Sequence, residues 1–141
     1  MDQLISFTNQ NTILVIAIIV VSLMLIHSLV GEKLRGYSSI SPAESTTMIN
    51  RDSAILIDVR ESNEYSTGHI INSMHIPLSS LKGRLNELEK HKANKIIMAC
   101  RSGSRSSHAC AILKKAGFEH VFNLSGGVMA WESANLPLIK K

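Results

Sequence analysis

This 141-residue chain is short of several things that would point to particular functions. It has two cysteines, Cys100 and Cys110, too few for a disulfide-stapled framework. No HExxH and no paired CxxC occurs, and the six histidines show no ligand spacing, so no metal site and no cofactor is expected. Aromatic residues make up only 4%, and the basic residues are scattered rather than striped, which argues against a nucleic-acid partner. No internal repeat or low-complexity segment is visible. The last absence is local: from Ile13 to Ile26, ILVIAIIVVSLMLI, there is no charge, proline or glycine.

Extended to residues 12–30, that run reaches about 19 residues, the length a helix needs to cross a bilayer core of about 30 Å. A globular helix of this length would carry a polar face, and here Ser22 and His27 are nearly alone. His27 is expected at the interface. A cleaved signal peptide fits poorly, because MDQLISFTNQN has no basic residue and Ser28-Leu29-Val30-Gly31 is a poor cleavage site. Lys33 and Arg35 follow the run, and all fifteen lysines and arginines lie beyond residue 31. The positive-inside rule therefore places the C-terminal part in the cytoplasm, on a single-pass anchor in the inner (cell) membrane. That part carries a net +5, useful beside an anionic bilayer surface. The expected organisation is a short extracytoplasmic N-terminus at 1–11, a transmembrane helix at 12–30, a polar juxtamembrane linker at 31–40 and one domain at 41–141.

Within the domain, Ser41-Pro42-Ala43-Glu44 reads as a capping box with proline at the first helical position, opening a helix to about Asn50. Ala54–Val59 and Lys95–Ala99 are apolar runs rich in branched residues, as strands buried on both faces would be. Met74-His75-Ile76 and His120–Asn123 are shorter strand candidates, and helical patterns cover Leu78–Leu88, Ser104–Ala116 and Gly127–Ala134. Strands alternating with helices predict an α/β domain: a mostly parallel central sheet with helices on both faces. Ligands of such sheets bind outside the carboxyl ends of the strands.

Cys100 sits at such an end, in IMACRSGSRS. A glycine-containing loop running into a helix N-terminus turns several N–H groups inward and attracts anions. The helix dipole and the charges of Arg101 and Arg105 act in the same direction, so Cys100 is expected to be a low-pKa nucleophile. Cys110, about six residues further on, is expected to be a small buried hydrophobe. Asp58 and Arg60 follow a strand end. Arg60 and Glu64 are expected to form an ion pair that fixes this loop.

These pieces together resemble a known family. Asp58-Val59-Arg60, Glu64-Tyr65, Gly68-His69-Ile70, Ser73 and Ile76-Pro77 match the rhodanese pattern D-x-R-x-x-x-E-[YF]-x-x-G-H-I-x-x-[AS]-x-x-I-P. The Cys100 loop matches C-R-x-G-x-R-S, and Gly117-Phe118 with Leu124-x-Gly126-Gly127-x-x-x-Trp131 matches the closing pattern. The resemblance covers about residues 41–138, and with the N-terminal helix the chain resembles small bacterial membrane-anchored single-domain rhodaneses.

The resemblance implies sulfur transfer: Cys100 takes sulfane sulfur from a donor such as thiosulfate as a persulfide and passes it to a thiophilic acceptor, cyanide or a thiol. By matching positions, Arg101, Ser102, Gly103, Ser104 and Arg105 form the substrate-binding loop, with Arg101 and Arg105 on the anionic donor. His69, Gly126, Gly127 and Trp131 read as architecture. Two other functions compete with turnover: a persulfide carrier or membrane adaptor, with a membrane protein as its partner, and phosphatase or arsenate chemistry. The last needs C-x5-R, whereas Arg105 follows Cys100 after four residues.

Overall fold

The computed structural model describes residues 11–140, apart from the side chains at 27–30 and 32–34. The chain divides into two units at the Arg35–Gly36 junction. The first holds helix α1, Thr12–Arg35, with large apolar side chains from Ile13 to Ile26 exposed around it. Among the described residues no helix is long and apolar enough to cross a membrane. The described apolar side chains end at Ile26, about 21 Å of helix at 1.5 Å per residue, against a core of about 30 Å. The rest of the expected span, His27 included, lies outside the described side chains, as does Lys33; segment 1–10 lies outside the described residues.

The second unit opens with a departure from expectation. Residues 38–40, expected within a polar linker, form strand β1, Ser38–Ile40, which pairs with a central-sheet strand, and Tyr37 before it is buried. Helix α2, Pro42–Asp52, starts as its capping box dictates: the Glu44 carboxylate accepts from the Ser41 N–H at 2.7 Å and Ser41 Oγ accepts from the Glu44 N–H at 3.3 Å. Then follow β2 (Ile55–Asp58), α3 (Ser62–Thr67), β3 (His69–Ile70), β4 (Met74–His75) and α4 (Leu78–Leu81). The expected helix over Leu78–Leu88 tightens after Leu81 into a 3-10 segment, Lys82–His91, where Gly83 and Asn86 are poor α-helix formers. Beyond it lie β5 (Lys95–Ala99), α5 (Ser104–Lys115), β6 (His120–Leu124), α6 (Gly127–Ser133) and β7 (Leu138–Ile139).

The central sheet has the order β1-β6-β5-β2-β4 and every neighbouring pair is parallel; β3 and β7 form a separate antiparallel pair. Period-2 alternation divides the core between the two faces. Ile57, Ile96, Met98 and Cys100 pack with Leu81, Leu88, Ala109, Cys110 and Leu113, from α4, the 3-10 segment and α5. Leu56, Ile97 and Ala99 pack with Met48, Ile49, Val128 and Trp131, from α2 and α6. The α/β architecture with helices on both faces is therefore as read, and Cys100 belongs to the α5 face.

Leu113 is fully buried and holds α5 against the sheet. Leu113→Ala is expected to lower the unfolding free energy by about 3 kcal/mol, measured by urea denaturation.

Candidate active site

Strand β5 delivers Cys100 to the carboxyl edge of the sheet, and α6 closes on it from the other side. The Val128 N–H donates to the Cys100 carbonyl at 2.8 Å and the Met129 N–H to the Arg101 carbonyl at 3.1 Å. This approach requires glycine at 127. A Cβ there would lie 2.3 Å from the Cys100 oxygen, and its φ of +58° is left-handed. Gly103 also has a left-handed φ, +100°, and turns its N–H onto Cys100 Sγ at 3.1 Å before α5 begins.

Cys100 is only 1% exposed. Burial is the largest single influence on its thiol and opposes ionisation. The hydrogen bonds from the Ser106 hydroxyl and from the N–H groups of Ser106, Gly103 and Ser102 together outweigh it, and the pKa falls below the ordinary thiol value. This shifts the weight of the sequence reading from the arginines to the loop. Arg105 is forked onto Glu64, with Nη1–Oε2 at 2.6 Å and Nη2–Oε1 at 2.7 Å, so its charge is largely neutralised in place.

The expected Arg60–Glu64 pair is not formed. Asp58 is fully buried, and its carboxylate is compensated by Arg60, whose Nη2 lies 2.7 Å from Oδ2 and also donates to the Gly68 carbonyl at 2.8 Å. Glu64 is thereby left to Arg105. Of the predicted loop residues, Gly103 is buried at the sulfur. Ser102 reaches the sulfur through its backbone alone, and the Ser102 and Ser104 side chains are exposed. Arg101 is exposed and makes no ion pair among the described residues. It lines a cleft of about 400 Å³ with Arg60, Asn63, Glu64, Thr67, Val128, Met129 and Glu132.

Two residues were missed as site residues. Ser106 Oγ lies 3.3 Å from Cys100 Sγ, and Asn123 Oδ1 accepts from that same hydroxyl at 2.6 Å. The signal for Asn123 was an amide inside an otherwise buried strand, where asparagine is disfavoured. Of the residues read as architecture, His69 and Trp131 are engaged elsewhere in the fold. His69 stacks on Tyr65 and its Nδ1 lies 3.0 Å from the Tyr65 carbonyl, while Trp131 Nε1 donates to the Pro137 carbonyl at 3.1 Å. Cys110 is buried, which pushes its thiol pKa upward. Among the described residues no cluster of His, Cys, Asp or Glu could hold a metal ion.

A strand-end cysteine ringed by loop N–H groups, followed directly by a helix, is the arrangement the sequence resemblance implied. Residues 41–134 match the family of the Rhodanese-like domain. The chain belongs to the rhodanese-like family. It is similar to the protein YibN of Escherichia coli K12, 32% identical over 141 residues and covering 99% of each chain. It is also similar to a sulfurtransferase of Allochromatium vinosum, 32% identical over 70% of this chain and 91% of that one. The crystal structure of a rhodanese-related protein from Thermoplasma volcanium superposes with a TM-score of 0.67 at 31% identity, over 74% of this chain and all of the other.

In this rhodanese-like domain the Glu64–Arg105 fork joins α3 to the first turn of the active helix. The fork holds the Glu64 carboxyl down at about 2, against an ordinary value of 4.5. A folded-state pKa depressed in this way adds stability that is complete above the unfolded value and is lost as pH falls toward the folded one. The stability gap between wild type and Glu64→Gln is therefore expected to be constant above about pH 5.5 and to shrink between about pH 4.5 and 2. Urea denaturation across that range measures it.

Proposed function

We propose that this chain is a sulfurtransferase that carries sulfane sulfur as a persulfide on Cys100. The observation that carries the reading is the hydrogen-bonded sulfur itself: a buried Sγ at a strand end, with the Gly103 N–H 3.1 Å away and a hydroxyl beside it. Such a site favours an anionic sulfur, the nucleophile the reaction needs. The Cys100 thiolate attacks the outer sulfur of a donor such as thiosulfate. The new S–S bond forms as the donor's own S–S bond breaks, and its electron pair leaves on sulfite. The negative charge now sits on the terminal sulfur, and in this reading the N–H groups of Ser102, Gly103 and Ser106, turned toward the Cys100 sulfur, stabilise it. A thiophilic acceptor, cyanide or a thiol, attacks that sulfur and the electron pair returns to Cys100. Arg101, exposed and without an ion pair among the described residues, is the cation available to an anionic donor; Arg105 serves through Glu64 as a brace of the loop. The four-residue gap between Cys100 and Arg105, and the engagement of Arg105 with Glu64, speak against a phosphoryl clamp.

Incubation of the full chain with thiosulfate is expected to add one sulfur to Cys100, and cyanide to remove it as thiocyanate, followed by intact mass. Cys100→Ser is expected to take up no sulfur and to lower thiocyanate formation about a thousandfold or more. Sulfur uptake by a folded Cys100→Ser variant would sink the reading. Uptake that no thiol or cyanide discharges would favour a carrier over an enzyme.

We also propose that the N-terminal unit anchors the domain in the inner membrane, through residues 12–30, with the domain on the cytoplasmic side. Support comes from the exposed apolar side chains on all sides of α1, from Lys33 and Arg35 behind them, and from the YibN match, whose extent includes this segment. The full chain is expected to stay with the membrane fraction after a carbonate wash, and its recovery in the supernatant would refute the anchor.

A further inference from the structure

The Ser106 hydroxyl touches two acceptors with a single proton. Its Oγ lies 2.6 Å from Asn123 Oδ1 and 3.3 Å from Cys100 Sγ. The Asn123 amide is fixed in orientation, because its Nδ2 donates to the Gly103 carbonyl at 3.2 Å. Oδ1 therefore faces Ser106, and a carbonyl oxygen can only accept. Ser106, Asn123 and Cys100 are all buried, so bulk water does not stand in for a lost partner.

A proton inventory then links the network to the state of the sulfur. While Cys100 is a thiol, its S–H donates to Ser106 Oγ and Ser106 donates to Asn123, so every group is satisfied. A thiolate has no proton to give. Ser106 would turn lone pairs toward an anion unless its own proton swings onto Sγ, and Asn123 Oδ1 then loses its donor.

We propose that Ser106 is a hydroxyl switch on the reacting sulfur, and that Asn123 is the positioning residue competing with Cys100 for its proton. The proposal rests on Cys100 as the sulfur-carrying nucleophile and adds what the site does as the charge moves. In the thiolate the Ser106 proton faces Sγ. Attack on the donor's outer sulfur makes Sγ a neutral, divalent sulfur with single bonds to Cβ and to the outer sulfur, a weak acceptor, and places the charge on the terminal sulfur. The Ser106 proton returns to Asn123, and the terminal sulfur is left to the loop N–H groups. Discharge to the acceptor restores the thiolate and turns the proton back. No proton enters or leaves, and the competition favours the persulfide over the bare thiolate.

The charged and titratable groups around the sulfur do not supply this response. From α5 come Arg105, engaged with Glu64 of α3, and the buried Cys110. The β2 end contributes the closed Asp58–Arg60 pair, and the cleft beside the loop contributes Arg101 and Glu132 of α6.

The test is the pH dependence of iodoacetamide alkylation at Cys100 in the full chain, read by mass at that residue. Four proteins form a cycle: wild type, Ser106→Ala, Asn123→Ala and the double variant. Asn123→Ala is expected to lower the Cys100 pKa by about one unit, because Ser106 is freed to serve the thiolate alone. Ser106→Ala is expected to raise it, and Asn123→Ala in that background to shift it by less than about 0.3 unit. If Asn123 merely braces Gly103, its loss raises the pKa with or without Ser106. A rise, no change, or an equal fall in both backgrounds would overturn the proposal. Asn123→Leu, which fills the amide's volume, is read in the same cycle and takes the place of the alanine variant where that one does not fold. The alkylation readout is independent of sulfur transfer. A wild type that takes up no sulfur but obeys the cycle would refute the persulfide reading and leave the switch standing.

Discussion

A cysteine sulfur almost wholly removed from water, yet with its pKa held below the ordinary thiol value, is the constraint on which the rest of this molecule turns. Burial opposes the charge, and only hydrogen bonds aimed at the sulfur reverse the balance. Those donors belong to the turn after Cys100 and the first turn of α5, so the surrounding fold has to hold these peptide groups in place. Much of the packing near the sheet's carboxyl edge serves this end. Helix α6 donates two N–H groups to the carbonyls of Cys100 and Arg101, and the Asn123 amide holds the carbonyl of Gly103. Because the Arg101 carbonyl is anchored outward, the N–H of the same peptide, that of Ser102, is turned toward the sulfur.

Charge is used here for bracing more than for attraction. Near the loop Asp58 is engaged with Arg60 and Glu64 with Arg105, while Arg101 makes no ion pair among the described residues. The half-buried Glu64–Arg105 fork joins α3 to α5, and a bidentate geometry fixes orientation as well as distance. The polarity at the sulfur therefore comes mainly from oriented N–H and hydroxyl dipoles rather than from free charges.

Local signals in the sequence carried a good deal of this. The capping box at Ser41, the apolar runs at Ile55 and Lys95 and the left-handed glycine after Cys100 report backbone geometry within a few residues of themselves, so they could be read without the fold. Strand β1 could not, because a three-residue polar segment becomes a strand only when β6 offers it an edge. The same holds for the ion pairs: Glu64 and Arg60 are spaced to meet, yet the buried Asp58 carboxylate demands the guanidinium first.

By itself, then, the sequence determined the alternation of strands and helices, the position of Cys100 at a strand end and the anion-favouring turn behind it. All of these depend on periodicity, capping and glycine chemistry within one short stretch of chain. Only the tertiary structure decided what surrounds the Cys100 sulfur, because Ser106 and Asn123 lie seventeen residues apart and are hydrogen-bonded only once β6 and α5 are packed together. It likewise decided that Arg105 braces the loop, since a guanidinium's role depends on which carboxylate folding brings within reach.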